Sequence, residues 1–297
     1  MSTRTGIPFL KGHGTENDFV ILPDPENALE LPPAVVAALC DRRSGLGADG
    51  LLHVVRSAAH PDAREMAGHA EWFMDYRNAD GSLAEMCGNG VRVFAHYLRR
   101  AGLVTQNTLS IATRAGVRAV RFAADGAVTV GMGRVALPGG EVTVNVDGRQ
   151  WPATHVDMGN PHAVAHVLDL AHAGDLRAAP SVRPTTTYPD GVNVEFVVDQ
   201  GPRHVAMRVH ERGSGETRSC GTGACAVAVS AARRDGVDPA VTGLPVSYTV
   251  DVPGGTLMIT ERPDGEIEMT GPAVIVAEGE IDPQALATGP HTGNVHR

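Results

Sequence analysis

Two cysteines in this chain each open a glycine-rich turn. Met86-Cys87-Gly88-Asn89-Gly90 precedes a helix-like run from Val91 to Arg99, and Ser219-Cys220-Gly221-Thr222-Gly223 precedes another from Ala224 to Ala232. The upstream flanks match too, with Asn78 nine residues before Cys87 and Glu211 nine before Cys220. A helix N-terminus leaves backbone N–H groups unpaired and carries a partial positive charge. Glycines let a carboxylate approach those groups closely. The same field favours thiolate over thiol. One such turn could hold an inert, buried cysteine; a second copy with matched flanks points to two reactive ones.

Other polar groups surround the two turns. Asn17, Asn78, Asn160 and Asn193 all stand at borders between turn and strand. Asparagine suits turns for backbone reasons alone, but four of them together suggest hydrogen bonds to a small polar ligand. Glu211-Arg212 offers a carboxylate beside a guanidinium, suited to an ammonium and a carboxylate respectively. His162 and His166 have a helical metal spacing, yet the alternation Ala163-Val164-Ala165 between them reads as strand. No further ligand of the usual kind accompanies them, so no metal is expected. Gly45-Leu46-Gly47-Ala48-Asp49-Gly50 matches a dinucleotide fingerprint in spelling only. A helix precedes it and a strand follows, the reverse of what that motif requires.

Composition narrows the class. The 297 residues carry a net charge of −9, and aromatics make up 4%, which argues against nucleic-acid partners. No apolar run approaches the ~18 residues of a membrane span, and no export signal opens the chain. Four cysteines are too few for a disulfide scaffold, so a reduced cytoplasm is the expected setting.

The elements that must position these residues fall into two similar halves. Phe9 to Leu22 reads as strand, polar turn, strand, with glycine and asparagine supplying the turn's unusual backbone angles. A helix over Ala34 to Cys40 follows, then a strand, a polar loop from Ser57 to Ala70 expected to be exposed, and the strand Trp72 to Tyr76 leading to Cys87. Beyond Pro138-Gly139-Gly140 the plan repeats, with Gly159-Asn160-Pro161 before an apolar strand and Gly191-Val192-Asn193 before another.

His13-Gly14 through Asn17-Asp18-Phe19, Asn78-Ala79-Asp80-Gly81-Ser82, the first cysteine turn, Met158-Gly159-Asn160-Pro161-His162, Gly191-Val192-Asn193, and Glu211-Arg212-Gly213 with the second cysteine turn resemble diaminopimelate epimerase, in family order, from about Phe9 to Gly279. The resemblance implies an α/β (α+β) fold of two pseudo-symmetric domains, each a mixed sheet wrapped around a central helix, with the active site in the cleft between them. It implies a first domain of residues 1–132 plus 267–286 and a second of 133–266; the Gly/His/Thr-rich stretch at 287–297 is expected from its composition to be a disordered tail.

The implied activity is cofactor-independent epimerisation between LL- and meso-diaminopimelate, in lysine and peptidoglycan-precursor synthesis. Inverting an α-carbon requires a base on one face and an acid on the other. The resemblance assigns these roles to Cys87 and Cys220, with His162 and Glu211 tuning them. Gly88, Asn89, Gly221 and Thr222 would hold the reacting end. Asn17, Asn78, Asn160, Asn193, Glu211 and Arg212 would contact the substrate. Pyridoxal phosphate would need a lysine, and the sole lysine, Lys11, lies in no recognisable site. Three departures stand out: Thr15-Glu16 replaces a commoner apolar-Gly pair, Gly50 replaces a substrate-contacting Gln, and Ala277 replaces a Tyr that supports a homodimer in some members. The alternatives are a proline or hydroxyproline racemase, which would not need the second polar cluster, and a non-catalytic amino-acid-binding or thiol redox protein. The last would favour a Cys-x-x-Cys, which the sequence lacks.

Overall fold

The computed structural model describes residues 6–282, and the tail expected at 287–297 lies outside the described residues. The chain divides into two compact units, the first holding residues 6–14, 18–122 and 273–282 and the second 15–17 and 123–272.

Strands β1 (Ile7–Gly14) and β2 (Asn17–Pro23) form the expected hairpin, whose strands lie in the first unit except for Asn17 and whose turn is counted with the second. Its turn departs from expectation, because Thr15 (φ 51°) and Glu16 (φ 61°), not a glycine or asparagine, take the left-handed conformation. Two such residues in succession match the twist of hairpin strands, at a cost of about 1–2 kcal/mol each for a residue bearing Cβ. The chain continues through α1 (Pro33–Cys40), β3 (Gly50–Arg56), β4 (Trp72–Asn78), α2 (Gly88–Arg100), β5 (Thr108–Thr113) and β6 (Gly116–Phe122). Strand β3 runs parallel to β2 and β4 antiparallel to β3; β5 runs parallel to β4 and β6 antiparallel to β5. The chain's last strand, β18 (Val274–Ile281), pairs antiparallel with β1. Helix α2 packs against β1, β3, β4 and β18, and Val91, Val93, Phe94, Ala95 and Leu98 are all buried. A helix buried on nearly every side must be enclosed by its sheet. The Ser57–Ala70 stretch is not simply an exposed loop: it forms short 3-10 turns, and Ala63 and Ala70 pack on Phe73 and Ala112.

The second unit contains β7 (Val128–Arg134), β8 (Val142–Val146), β9 (Arg149–Asp157), β10 (Pro161–His166), β11 (Ser181–Arg183), β12 (Asn193–Gly201), β13 (His204–Glu211), β14 (Gly215–Glu216), α3 (Gly221–Arg234), β15 (Val246–Val252), β16 (Gly255–Glu261) and β17 (Glu266–Gly271). Helix α3 packs against β9, β10, β12, β13, β15, β16 and β17. Its run of Gly, Ala, Cys, Val and Ser is buried from Gly223 to Ala232, and such small side chains let strands approach on every side.

Both units follow one succession. A hairpin (β1–β2, β9–β10) leads to a parallel step (β2–β3, β10–β12) and an antiparallel pair (β3–β4, β12–β13). A second parallel step crosses by way of the central helix (β4–β5, β13–β15) into a closing hairpin (β5–β6, β15–β16). This is the pseudo-symmetric α+β architecture that the sequence implied. The division falls between Phe122 and Ala123 because β7 pairs with β17, and both lie in the second unit. A border at 132/133 would cut β7, and one before 267 would separate β17 from its partners.

Candidate active site

Each cysteine is the N-cap of its central helix. Cys87 has extended backbone (φ −139°, ψ 114°), and its sulfur accepts the Gly90 amide at 3.4 Å. Cys220 repeats this (φ −112°, ψ 114°), accepting the Gly223 amide at 3.3 Å. The helices therefore begin at Gly88 and Gly221, three residues before the apolar runs that signalled them. Sulfur here stands in for the oxygen of an ordinary N-cap side chain.

Around Cys87, Asn89 is fully buried in the first turn of α2. Asn78 ends β4, where its Nδ2 donates to Ser82 Oγ at 3.0 Å and closes the turn that leads toward the cysteine. Gly50 is paired with Asn78 across β3 and β4. A Cβ at Gly50 would lie 2.6 Å from the Arg77 carbonyl oxygen, so the strand surroundings leave no room for a side chain there. Lys11 is engaged by Asp18 at 2.7 Å and donates to the Gly47 carbonyl.

The second unit gathers more of the expected residues. His162 Nδ1 lies 2.6 Å from Glu195 Oε1, and His162 Nε2 lies 3.1 Å from Asn160 Oδ1. Asn160 Nδ2 donates to Thr222 Oγ1 at 3.4 Å, and that hydroxyl is 3.6 Å from Cys220 Sγ. Glu211 is turned inward, accepting the Thr217 hydroxyl and the Cys220 thiol. Arg212 points outward and donates to the Asp190 carbonyl at 3.2 Å, while its amide donates to Asn193 Oδ1 at 2.9 Å. Asn17 begins β2 and belongs with the second unit.

Electrostatics at Cys220 run against the thiolate expected at a helix N-terminus. Burial pushes its pKa well up, and the charges of Glu211 and Glu195 push it further. The Thr222 hydroxyl and the Gly223 amide pull the other way without prevailing. Desolvation penalises a buried anion more than one amide can return, so these surroundings favour the thiol form of Cys220. Burial also raises Glu211 above the ordinary carboxylate value, against hydrogen bonds from Thr217 and Cys220.

The family model described as diaminopimelate epimerase matches residues 9–146 and 154–276. The chain belongs to the diaminopimelate epimerase family. It is 78% identical to a diaminopimelate epimerase from Streptomyces coelicolor over 282 residues, covering 95% of this chain and 97% of that one. Among solved structures, a phenazine biosynthesis protein of the PhzF family from Bacillus anthracis is similar, with a TM-score of 0.68 at 17% identity over 93% of this chain and 99% of the other. A hydroxyproline epimerase from Agrobacterium vitis gives a TM-score of 0.65 at 14% identity, covering 96% of each chain. At those identities the two structures share the fold alone. The racemase and amino-acid-binding alternatives are therefore not favoured over the diaminopimelate epimerase family. Among the described residues, no helix is long and apolar enough to cross a membrane.

For this family member, sequence reasoning passed over Glu195 and Thr217. Glu195 is fully buried on β12 between Val194 and Phe196. A carboxylate inside an apolar strand needs a partner, and period-two alternation puts it on the same face as Asn193. That signal was readable. Thr217 stands between the Glu211 strand and the Cys220 helix with no pattern to mark it.

Proposed function

We propose that this chain interconverts LL- and meso-diaminopimelate without a cofactor, using Cys87 and Cys220 as its two acid/base groups. The observation that carries this reading is the doubled N-cap, one thiol in each unit receiving the amide of the third helical residue. A reversible inversion needs one acid and one base that exchange roles with direction, and two cysteines built alike suit that need. One cysteine, as its thiolate, takes the α-proton from one face and becomes a thiol, while the other, as a thiol, delivers a proton to the opposite face and becomes a thiolate.

The first-turn amides of Gly88 and Asn89 and of Gly221 and Thr222 would receive the α-carboxylate. There they stabilise the carbanion-like transition state, whose charge moves onto those oxygens. Glu211 is the acceptor for the Cys220 proton, and His162 tunes the same site. Asn17, Asn78, Asn160, Asn193 and Arg212 bind the rest of the substrate; Arg212 suits the distal carboxylate. The enzyme is assigned to the cytoplasm and to lysine and peptidoglycan-precursor synthesis. A homodimer is the assembly to test by ultracentrifugation.

The deciding experiment incubates purified protein with diaminopimelate in deuterated water, without pyridoxal phosphate or metal. Deuterium should enter the α-carbon, with Cys87→Ala and Cys220→Ala each abolishing net epimerisation. Retention of every α-proton by the unmodified protein would reduce it to a binder.

A further inference from the structure

Polar side chains at the start of α3 form a continuous chain from Glu195 through His162, Asn160 and Thr222 to the Cys220 sulfur. The chain also folds back on itself. A Cβ placed on Gly223 would stand 2.9 Å from Glu195 Oε1 and 3.2 Å from Cys220 Sγ, so the carboxylate and the thiol flank one small gap. Glycine at 223 is what keeps that gap open.

Glu195 is 0% exposed, and only one of its oxygens is satisfied by the described residues. Its Oε2 and the Tyr188 hydroxyl are both buried and have no hydrogen-bond partner among the described residues. The two groups sense each other, since burial and the Glu195 charge together raise Tyr188. Leaving a buried carboxylate oxygen without a hydrogen bond is costly, a penalty that packing alone does not explain. Five titratable side chains border this region: Glu211 from β13, Glu195 from β12, His162 from β10, Tyr188 from the connection before β12, and His155 from β9, whose ring meets Tyr188 at 4.8 Å. The two that burden the Cys220 thiol are Glu211 and Glu195.

We propose that Glu195 is a positioning residue for Cys220: its carboxylate fixes the His162 ring and, through Asn160 and Thr222, the direction of the thiol, while its own charge stands beside the sulfur. Calling that thiol a proton carrier rests on the epimerase reading; the arrangement itself does not. Glu195 acts in both protonation states of the site. It orders the donors around the sulfur at rest, and it favours return of the proton once the thiolate has formed.

The test follows alkylation of each cysteine by iodoacetamide against pH, with peptide mapping to separate Cys220 from Cys87. Removing a neighbouring negative charge makes a thiolate easier to form. In Glu195→Gln the Cys220 alkylation midpoint should fall by about one pH unit, with the Cys87 midpoint unchanged. Glu195→Asp keeps the charge but shortens the reach to His162. It should hold the midpoint near that of the unmodified protein while kcat falls about tenfold and KM stays constant. An unmoved Cys220 midpoint in folded Glu195→Gln would overturn the proposal, as would an equal shift at Cys87. If Glu195→Gln does not fold, unchanged kcat in Glu195→Asp overturns it instead. Alkylation needs no turnover, so an inactive unmodified protein would sink the epimerase reading and leave the Glu195 result legible.

Discussion

Within the second unit, the Thr15 hydroxyl lies 2.6 Å from that of Ser219, the residue just before Cys220. Beside it, Glu16 pairs with Arg218 at 2.5 Å, and both hairpin residues hold left-handed backbone. The Thr15-Glu16 departure is thus an exchange of backbone ease for side-chain anchorage.

Glu16→Gly should relieve the left-handed strain, worth about 1–2 kcal/mol, and lose an exposed ion pair worth about 0–1 kcal/mol. The mid-range difference is about 1 kcal/mol. The extra conformational freedom of glycine in the unfolded chain takes back about 0.5–1 kcal/mol. The variant should therefore be as stable as the parent or more so by up to about 0.5 kcal/mol. Urea unfolding of the two proteins measures it, and a destabilised variant would show that the Arg218 pair dominates.

Glu211→Gln removes the carboxylate that accepts the Cys220 thiol proton. On the proposed mechanism, kcat should fall by about 10²–10⁴ with KM changed only a few-fold. Thr217 keeps an acceptor in the amide oxygen, so circular dichroism should be unaltered. Turnover within threefold of the unmodified protein would remove Glu211 from the proton path.

The two helix starts should respond differently to one added methyl group. Gly223→Ala puts Cβ between Glu195 Oε1 and the Cys220 sulfur, whereas Gly90→Ala meets only Leu52 Cδ2 at 3.2 Å and looser neighbours. Helix propensity favours alanine by about 1 kcal/mol at either site. Gly223→Ala should therefore lose activity more than 100-fold, on the order expected when a catalytic group is misplaced by an ångström. Gly90→Ala should stay within about tenfold. Steady-state epimerisation assays distinguish them, and equal losses would count against the crowding at Gly223.

Acid stability should depend on a buried network in the first unit. Asp75 is fully buried and accepts from Arg77 at 2.7 Å and Arg114 at 2.6 Å, with His53 at 3.2 Å; His53 also lies 2.9 Å from Asp24. Burial alone would raise the Asp75 pKa, but hydrogen bonds from His53, Arg77 and Arg114 hold it far below the carboxylate range. Its stabilising contribution is complete above the unfolded value of about 3.9. It is lost as pH falls below that value toward the folded pKa. Asp75→Asn should cost about 3–5 kcal/mol at neutral pH by stranding its cationic partners. Its stability should also fall less steeply than that of the unmodified protein below about pH 4. Urea titrations across pH 3–7 provide the check; parallel curves would mean that Asp75 is not the titrating group.

Much of this was legible because the decisive signals are local. Cys-Gly-x-Gly fixes a helix start by capping chemistry alone, and the repeated turn-strand plan reported the duplicated architecture. What stayed hidden depends on long-range pairing. Strand β15 alternates buried and half-buried residues from Val246 to Val252, a period-two pattern lying between two prolines and passed over. The turn at Thr15-Glu16 could not be read because its left-handed backbone is enforced by Arg218 and Ser219, some two hundred residues away. The balance at Cys220 was hidden for a related reason: a helix terminus is visible in sequence, but the burial that outweighs it and the convergence of Glu211 and Glu195 on the sulfur are not.

The pairing of β1 with β18 has a consequence for how the molecule is made. Strand β1 leaves the ribosome long before its partner, Val274–Ile281, which lies at the far end of the described residues. At about 5–20 residues per second, synthesis leaves that edge waiting on the order of ten seconds or more. The α3 sheet is complete once β17 emerges, shortly before β18. Assembly during translation is therefore expected to reverse the usual vectorial order: the unit encoded in the middle of the message matures first, and the unit that starts the chain finishes last. A chain truncated after residue 273 and released from the ribosome should already protect α3 from protease while β1 remains open to cleavage.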